Sequence, residues 1–172
     1  MSAEGVVNLL KARRLTVATA ESLTGGLLCG ALTDVPGASA VVRGAVVAYA
    51  TDVKERVLGV SADVLTRPGG AVQGEVASQM AVGVCRVLGS RVGVATTGVA
   101  GPEPQDGQPV GTVFVAVAVE GSVEVRQLAL DGSRSEIRAA TVAGALALMV
   151  DRLSGVEDRG ALGRWHSSGH EI

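Results

Sequence analysis

The stretch Ala20-Glu21-Ser22-Leu23-Thr24-Gly25-Gly26 joins a hydroxyl, a carboxylate and two glycines. It follows an apolar run, Leu15 to Ala18, and precedes a helical pattern from Gly26 to Leu32. Open α/β folds place ligands and reacting groups where a strand's C-terminal end runs into a helix. A serine there can attack an electrophilic carbon if a base removes its proton. It can equally cap the helix, a task for which serine is well suited. Neither Gly-x-Ser-x-Gly nor Ser-x-x-Lys occurs at this point, so no standard nucleophile motif decides between the two. Gly25 and Gly26 allow a ligand close to the backbone, where free N–H groups can hold an anion or oxyanion. Glu21, Thr24, Gly25 and Gly26 are therefore candidate substrate contacts.

An activated serine needs a base, and the candidates are few. Both histidines, His166 and His170, fall in the last seven residues. A histidine triad and a Cys/His zinc site are both unavailable to the core. Without a metal, the base must be Lys, Asp, Glu or Tyr. The chain has thirteen arginines but only two lysines, Lys11 and Lys54. Arginine stays charged, whereas lysine becomes a base when desolvation or a nearby cation lowers its pKa. Lys54 follows a strand pattern closely; the competing reading is a solvated lysine on a short helix. Tyr49, the sole tyrosine, stands at the end of that strand pattern. Its phenol can relay a proton or hold the serine hydroxyl, or it can be a core tyrosine with a satisfied hydroxyl. The loop Thr97-Gly98-Val99-Ala100-Gly101-Pro102 follows a third strand pattern and can cradle a phosphate or ribose, or be a plain turn. Arg134, at a helix start, can pair with a phosphate or be solvated.

The elements that must position these groups come from composition and periodicity. A chain of 172 residues suits one domain. Apolar content is 47% and aromatic content 2%, so Val, Ala and Leu must build the core. That composition fits parallel strands buried on both faces under helices. The net charge of −2, with no basic cluster, argues against nucleic-acid binding. No apolar run approaches the ~20 residues of a membrane span, and the start of the chain lacks signal-peptide character. A cytoplasmic protein is expected. Cys29 and Cys85 lie in apolar helical pattern and read as buried small hydrophobes.

Helices are predicted over 4–13, 26–33, 53–58 (capped by Thr51-Asp52), 63–66, 75–88 and from Gly132-Ser133 to about Leu153. Strands are predicted over 15–20, 41–50, 91–96, 110–119 and 123–130, the last two as a hairpin. Crossover helices imply parallel early strands, and the hairpin implies antiparallel late ones. The expected fold is α/β: a three-layer α/β/α sandwich around a mixed, mostly parallel sheet. The domain is expected over residues 1–153, followed by a polar, Gly-rich tail over 154–172.

Three segments together resemble the CinA C-terminal domain family, the bacterial nicotinamide-nucleotide amidases. They are Thr19 through Gly26; Gly44 through Tyr49 to Lys54 with Val57-Leu58-Gly59-Val60; and Gly98 through Pro102 with Pro109 through Val113. The resemblance implies hydrolysis of the carboxamide of nicotinamide mononucleotide to nicotinate mononucleotide and ammonia, with no metal or organic cofactor. It implies Ser22 as nucleophile and Tyr49 and Lys54 as its activating partners, with Thr97, Gly98, Ala100 and Gly101 beside substrate. It also implies a five-stranded sheet like that of anticodon-binding domains, and a homo-oligomer whose partner is a small pyridine nucleotide. The chain departs from the family pattern at Gln73, Gln108 and Ser133. Two rival readings follow: a pyridine-nucleotide-binding module without catalysis, or a structural domain linked to competence or damage.

Overall fold

The computed structural model describes residues 2–155; the expected tail, past Gly155, lies outside the described residues. Five strands form one sheet: β1 (Val17–Glu21), β2 (Val42–Val47), β3 (Val92–Gly98), β4 (Thr112–Val119) and β5 (Ser122–Ala129), in the order β2-β1-β3-β4-β5. β1 pairs in parallel with both β2 and β3, while β3-β4 and β4-β5 are antiparallel. Half of the pairings, not most, are thus parallel. The hairpin and the return of β4 against β3 account for the other half.

Six helices cover the sheet: α1 (Ala3–Ala12), α2 (Leu27–Thr33), α3 (Thr51–Leu58), α4 (Ala62–Leu65), α5 (Gly74–Leu88) and α6 (Arg134–Ser154). Period-two alternation sorts the central strands into two faces. Val17, Val92, Val94, Val113, Val115 and Val117 face a core shared with α1, α2 and α6. Ala18, Ala20, Ala95, Ala116 and Ala118 face α3, α4 and α5. The alanine face is thin, so α5 lies close to the sheet. At Gly93 a Cβ would overlap the Ala81 carbonyl oxygen of α5, which is why glycine stands there.

This topology decides where the site lies. β1 leads through α2 on the valine face to one neighbour, and β2 leads through α3–α5 on the alanine face to the other. The chain therefore diverges at the C-terminal end of β1, a topological switch point. Three sequence expectations change here. β2 stops at Val47 rather than Ala50: the Ala48 N–H donates to the Glu21 carbonyl at 2.8 Å as the last rung of the ladder, since β1 ends there and the chain turns into α3. Thr51 does not cap α3: the cap residue is Ala50, without a side-chain hydrogen bond, and Asp52 pairs with Arg56. Cys29 and Cys85 are half-buried rather than buried, with both thiol pKa values pushed up by burial.

Candidate active site

Ser22 leaves the end of β1, and its N–H donates to the Thr96 carbonyl of β3 at 3.0 Å. Extended backbone sends successive side chains to opposite faces, so Glu21 goes to the valine face and Ser22 to the other side. Lys54, on the first turns of α3, is folded inward and is 1% exposed. Its Nζ lies 3.0 Å from Ser22 Oγ, 2.7 Å from the Ala48 carbonyl oxygen and 3.4 Å from the Tyr49 carbonyl oxygen. Burial lowers its pKa from 10.5 to about 8, against the opposing pull of Asp106. A neutral amine has two N–H groups and one lone pair. Two carbonyl oxygens take the two N–H groups, which leaves the lone pair for the serine hydroxyl.

Tyr49 is placed differently from expectation. It is 59% exposed, and its hydroxyl accepts a hydrogen bond from Arg134 at 2.7 Å. The residue reaches Lys54 only through its main-chain oxygen, so the phenol relays no proton in this arrangement. Arg134 also donates to the Gly101 carbonyl at 2.7 Å and so ties the start of α6 to the loop after β3.

A cleft of ≈ 150 Å³ opens over the serine. Ser22, Tyr49, Lys54, Thr97, Gly98, Ala100, Gly101 and Arg134 all line it. Glu21, Thr24, Gly25 and Gly26 do not line it, and their predicted role as ligand contacts gives way to an internal one. The Glu21 carboxylate accepts the backbone N–H groups of Gly26, Leu28 and Cys29 at 2.9, 3.1 and 2.8 Å. It also accepts the hydroxyls of Thr19 and Thr24, and Thr24 meets Thr96 at 2.8 Å. Gly25 donates to the Ser22 carbonyl and Leu27 to that of Thr24. The N–H groups of Gly25 and Gly26, expected to hold an anion, are thus already used. Nor does Ser22 cap the helix: α2 begins after Gly26 in a left-handed conformation (φ 103°), and Glu21 satisfies its first turn. Among the described residues, the N–H groups of Leu23 and Ala100 on the cleft wall have no intramolecular acceptor.

Several contributors escaped the sequence reading. Arg138 donates to the carbonyls of Leu23 at 2.9 Å and Thr24 at 3.2 Å, clamping the serine turn from α6. Its spacing of one helical turn from Arg134 was the available signal, since such residues share a face. Asp106 accepts the Ala71 N–H at 3.1 Å, and Thr97 Oγ1 donates to the Ala71 carbonyl at 2.7 Å, so the Ala71-Val72 turn becomes a wall of the cleft. Nothing local marked those positions, because only the folded loop brings them together. The departures at Gln73, Gln108 and Ser133 stand outside the cleft lining. Gln73 ties down the Val64 and Gly70 carbonyls, Gln108 approaches the Val72 carbonyl, and Ser133 forms a capping box with Glu136.

The model of the CinA C-terminal domain family matches residues 1–153. The chain belongs to this family. A CinA-like protein of Frankia casuarinae is 50% identical over 156 residues, covering 90% of this chain and 36% of that protein. A competence-damage inducible protein of Geobacillus sp. is 46% identical over 149 residues, covering 86% of this chain and 36% of its own length. The chain thus spans about a third of the length of these relatives. Among solved structures, a competence-damaged protein (CinA) superfamily member from Klebsiella pneumoniae superposes with TM-score 0.85 at 32% identity, covering 88% of this chain and 95% of its own. The competence/damage inducible protein CihA from Agrobacterium tumefaciens gives TM-score 0.83 at 40% identity, over 88% and 93%. The two solved structures share the fold of this chain. Among the described residues, no helix is long and apolar enough to cross a membrane.

Proposed function

We propose that this CinA-family domain is an amidohydrolase that deamidates nicotinamide mononucleotide, with Ser22 as nucleophile and Lys54 as its base. The observation that carries the reading is the 3.0 Å contact between Ser22 Oγ and the Nζ of a lysine that is 1% exposed. A buried lysine with a pKa of about 8 is partly neutral near physiological pH, as a general base must be. The chemistry then follows the serine–lysine pattern. Ser22 Oγ attacks the carboxamide carbon while Nζ takes the hydroxyl proton. Developing charge on the amide oxygen is met by N–H groups in the cleft wall, those of Leu23 and Ala100 being uncommitted. One such donor is typically worth ~3–4 kcal/mol. The protonated Lys54 returns its proton to the departing nitrogen, and ammonia leaves. Water attacks the resulting ester as Lys54 takes its proton; the bond to Oγ then breaks, Lys54 passes that proton back to Ser22 Oγ, and the acid leaves and ionises to the carboxylate.

The pyridine nucleotide as substrate rests on the family resemblance, supported by the polar character of the cleft and by Arg134 at its mouth. Among the described residues, the Arg134 guanidinium bonds a carbonyl and a phenol, both neutral, so a phosphate is a stronger partner than either. The reaction is tested by following ammonia release from nicotinamide mononucleotide by wild type and by Ser22→Ala. Turnover by wild type alone supports the reading. Equal rates remove the nucleophile, and calorimetric binding without turnover makes the domain a nucleotide-binding module.

A further inference from the structure

We infer that Glu21 is a positioning residue for Ser22: its buried carboxylate fixes the turn that presents the hydroxyl to Lys54. The inference rests on the serine–lysine reading above and adds a residue to it.

Glu21 is 0% exposed, and among the described ion pairs none involves it. Its compensation comes from five donors: two threonine hydroxyls and three backbone N–H groups at 2.7–3.1 Å. A carboxylate offers about four lone-pair sites, so this one is saturated and has no capacity left for a ligand. Three of the five donors are the first N–H groups of α2 and its cap. The carboxylate therefore locks the strand end to the helix start across the Ser22–Gly26 turn.

Ser22 lies between these anchors. Because successive side chains of an extended strand point opposite ways, holding Glu21 toward α2 holds Ser22 toward α3, where Lys54 waits. The turn is secured on its other side as well. Ser22 N–H binds Thr96, Thr24 Oγ1 meets Thr96 Oγ1, and Arg138 holds the Leu23 and Thr24 carbonyls. Gly25 and Gly26, at φ 58° and 103°, supply the left-handed backbone that closes so tight a loop. Fixing the nucleophile to within a few tenths of an ångström is what such a network contributes to rate.

Glu21→Gln keeps the shape but swaps an acceptor for an amide donor that faces donors. Displacement of fluoride from a fluorophosphonate by Ser22 Oγ, with the hydroxyl proton passing to Lys54, reads the nucleophile without reference to the natural substrate. Total labelling counts competent sites, and the labelling rate constant reports the reactivity of each. Glu21→Gln is expected to label fully but at least tenfold more slowly. Ammonia release from nicotinamide mononucleotide is expected to lose kcat by the same factor, with KM within threefold. Thr24→Val removes one donor to Glu21 without changing side-chain shape; it serves if Glu21→Gln does not fold, and is expected to slow labelling about threefold. A variant that labels at the wild-type rate constant, or that merely labels fewer sites at that rate, overturns the inference. Wild type that neither labels nor releases ammonia ends the nucleophile reading itself.

Discussion

Arg134 donates a hydrogen bond to the Tyr49 hydroxyl at 2.7 Å, across 85 residues of sequence. The same guanidinium holds the Gly101 carbonyl, so the pair forms a strap at the mouth of the cleft. The contact reassigns Tyr49. Its side chain belongs to the mouth, while its main-chain oxygen belongs to the base.

Tyr49→Phe separates these two parts, since it removes the hydroxyl and leaves the backbone oxygen on Lys54. We expect kcat for nicotinamide mononucleotide within about threefold of wild type and a larger change in KM. A phenol acting as general acid or base contributes ~10²–10⁴-fold. Steady-state kinetics showing a hundredfold fall in kcat with unchanged KM would restore the relay.

The activity should follow the neutral form of Lys54. With a pKa of about 8, kcat/KM is expected to rise tenfold per pH unit below 8 and to level off above it. Lys54→Arg, charged at every accessible pH, should be inactive throughout. A flat profile between pH 6 and 9 would exclude Lys54 as the base.

The same shift makes a prediction about stability. The folded-state pKa of Lys54, about 8, lies below its ordinary value of 10.5. Between those values the unfolded chain binds more protons than the native one, so stability rises with pH through this window. The folded state bears the full cost of a buried charge below pH 8 and is relieved of it by pH 10.5. The relief is on the order of 3 kcal/mol. Urea denaturation from pH 7 to 10.5 should show this gain in wild type, and Lys54→Met should lack it. Parallel curves for the two proteins would contradict the assignment.

Gly93 tests how closely α5 approaches the sheet. A Cβ at this position would overlap the Ala81 carbonyl oxygen and come 2.7 Å from Cys85 Sγ. The Cys85 thiol can turn aside but the Ala81 carbonyl is backbone and cannot, so α5 must lift from the alanine face. Gly93→Ala should cost about 3 kcal/mol, at the upper end of ordinary overpacking. Gly107→Ala is the control for glycine lost at an open site, because nothing stands within 4 Å of its Cβ position; its positive φ of 75° confines the cost to backbone strain of ~1 kcal/mol. Chemical denaturation giving equal losses for the two would show that the packing is not close.

The sequence determined the elements and their class. Apolar periodicity located α5 and α6 to within a residue or two, and crossover logic together with the hairpin gave the mixed sandwich. The three family-like segments, in their order, marked Ser22 and Lys54 as the residues to watch. Those signals are local: they depend on which residues alternate, which turn, and which follow a strand.

Only the tertiary structure decided what each polar group touches. Glu21 read as a ligand contact because it adjoins a glycine turn, yet the register of β1 sends its carboxylate into the first turn of α2. Tyr49 read as a proton relay or a core tyrosine because it ends the second strand at the sheet edge of Ser22, yet its side chain turns outward to α6 and is exposed. Arg138 drew no reading from the sequence, and it meets the serine turn only because α6 packs over it. Sequence spacing fixes the face from which a side chain departs. The acceptor it meets comes from another element, and is chosen only when the sheet order and helix packing bring that element within about 3 Å.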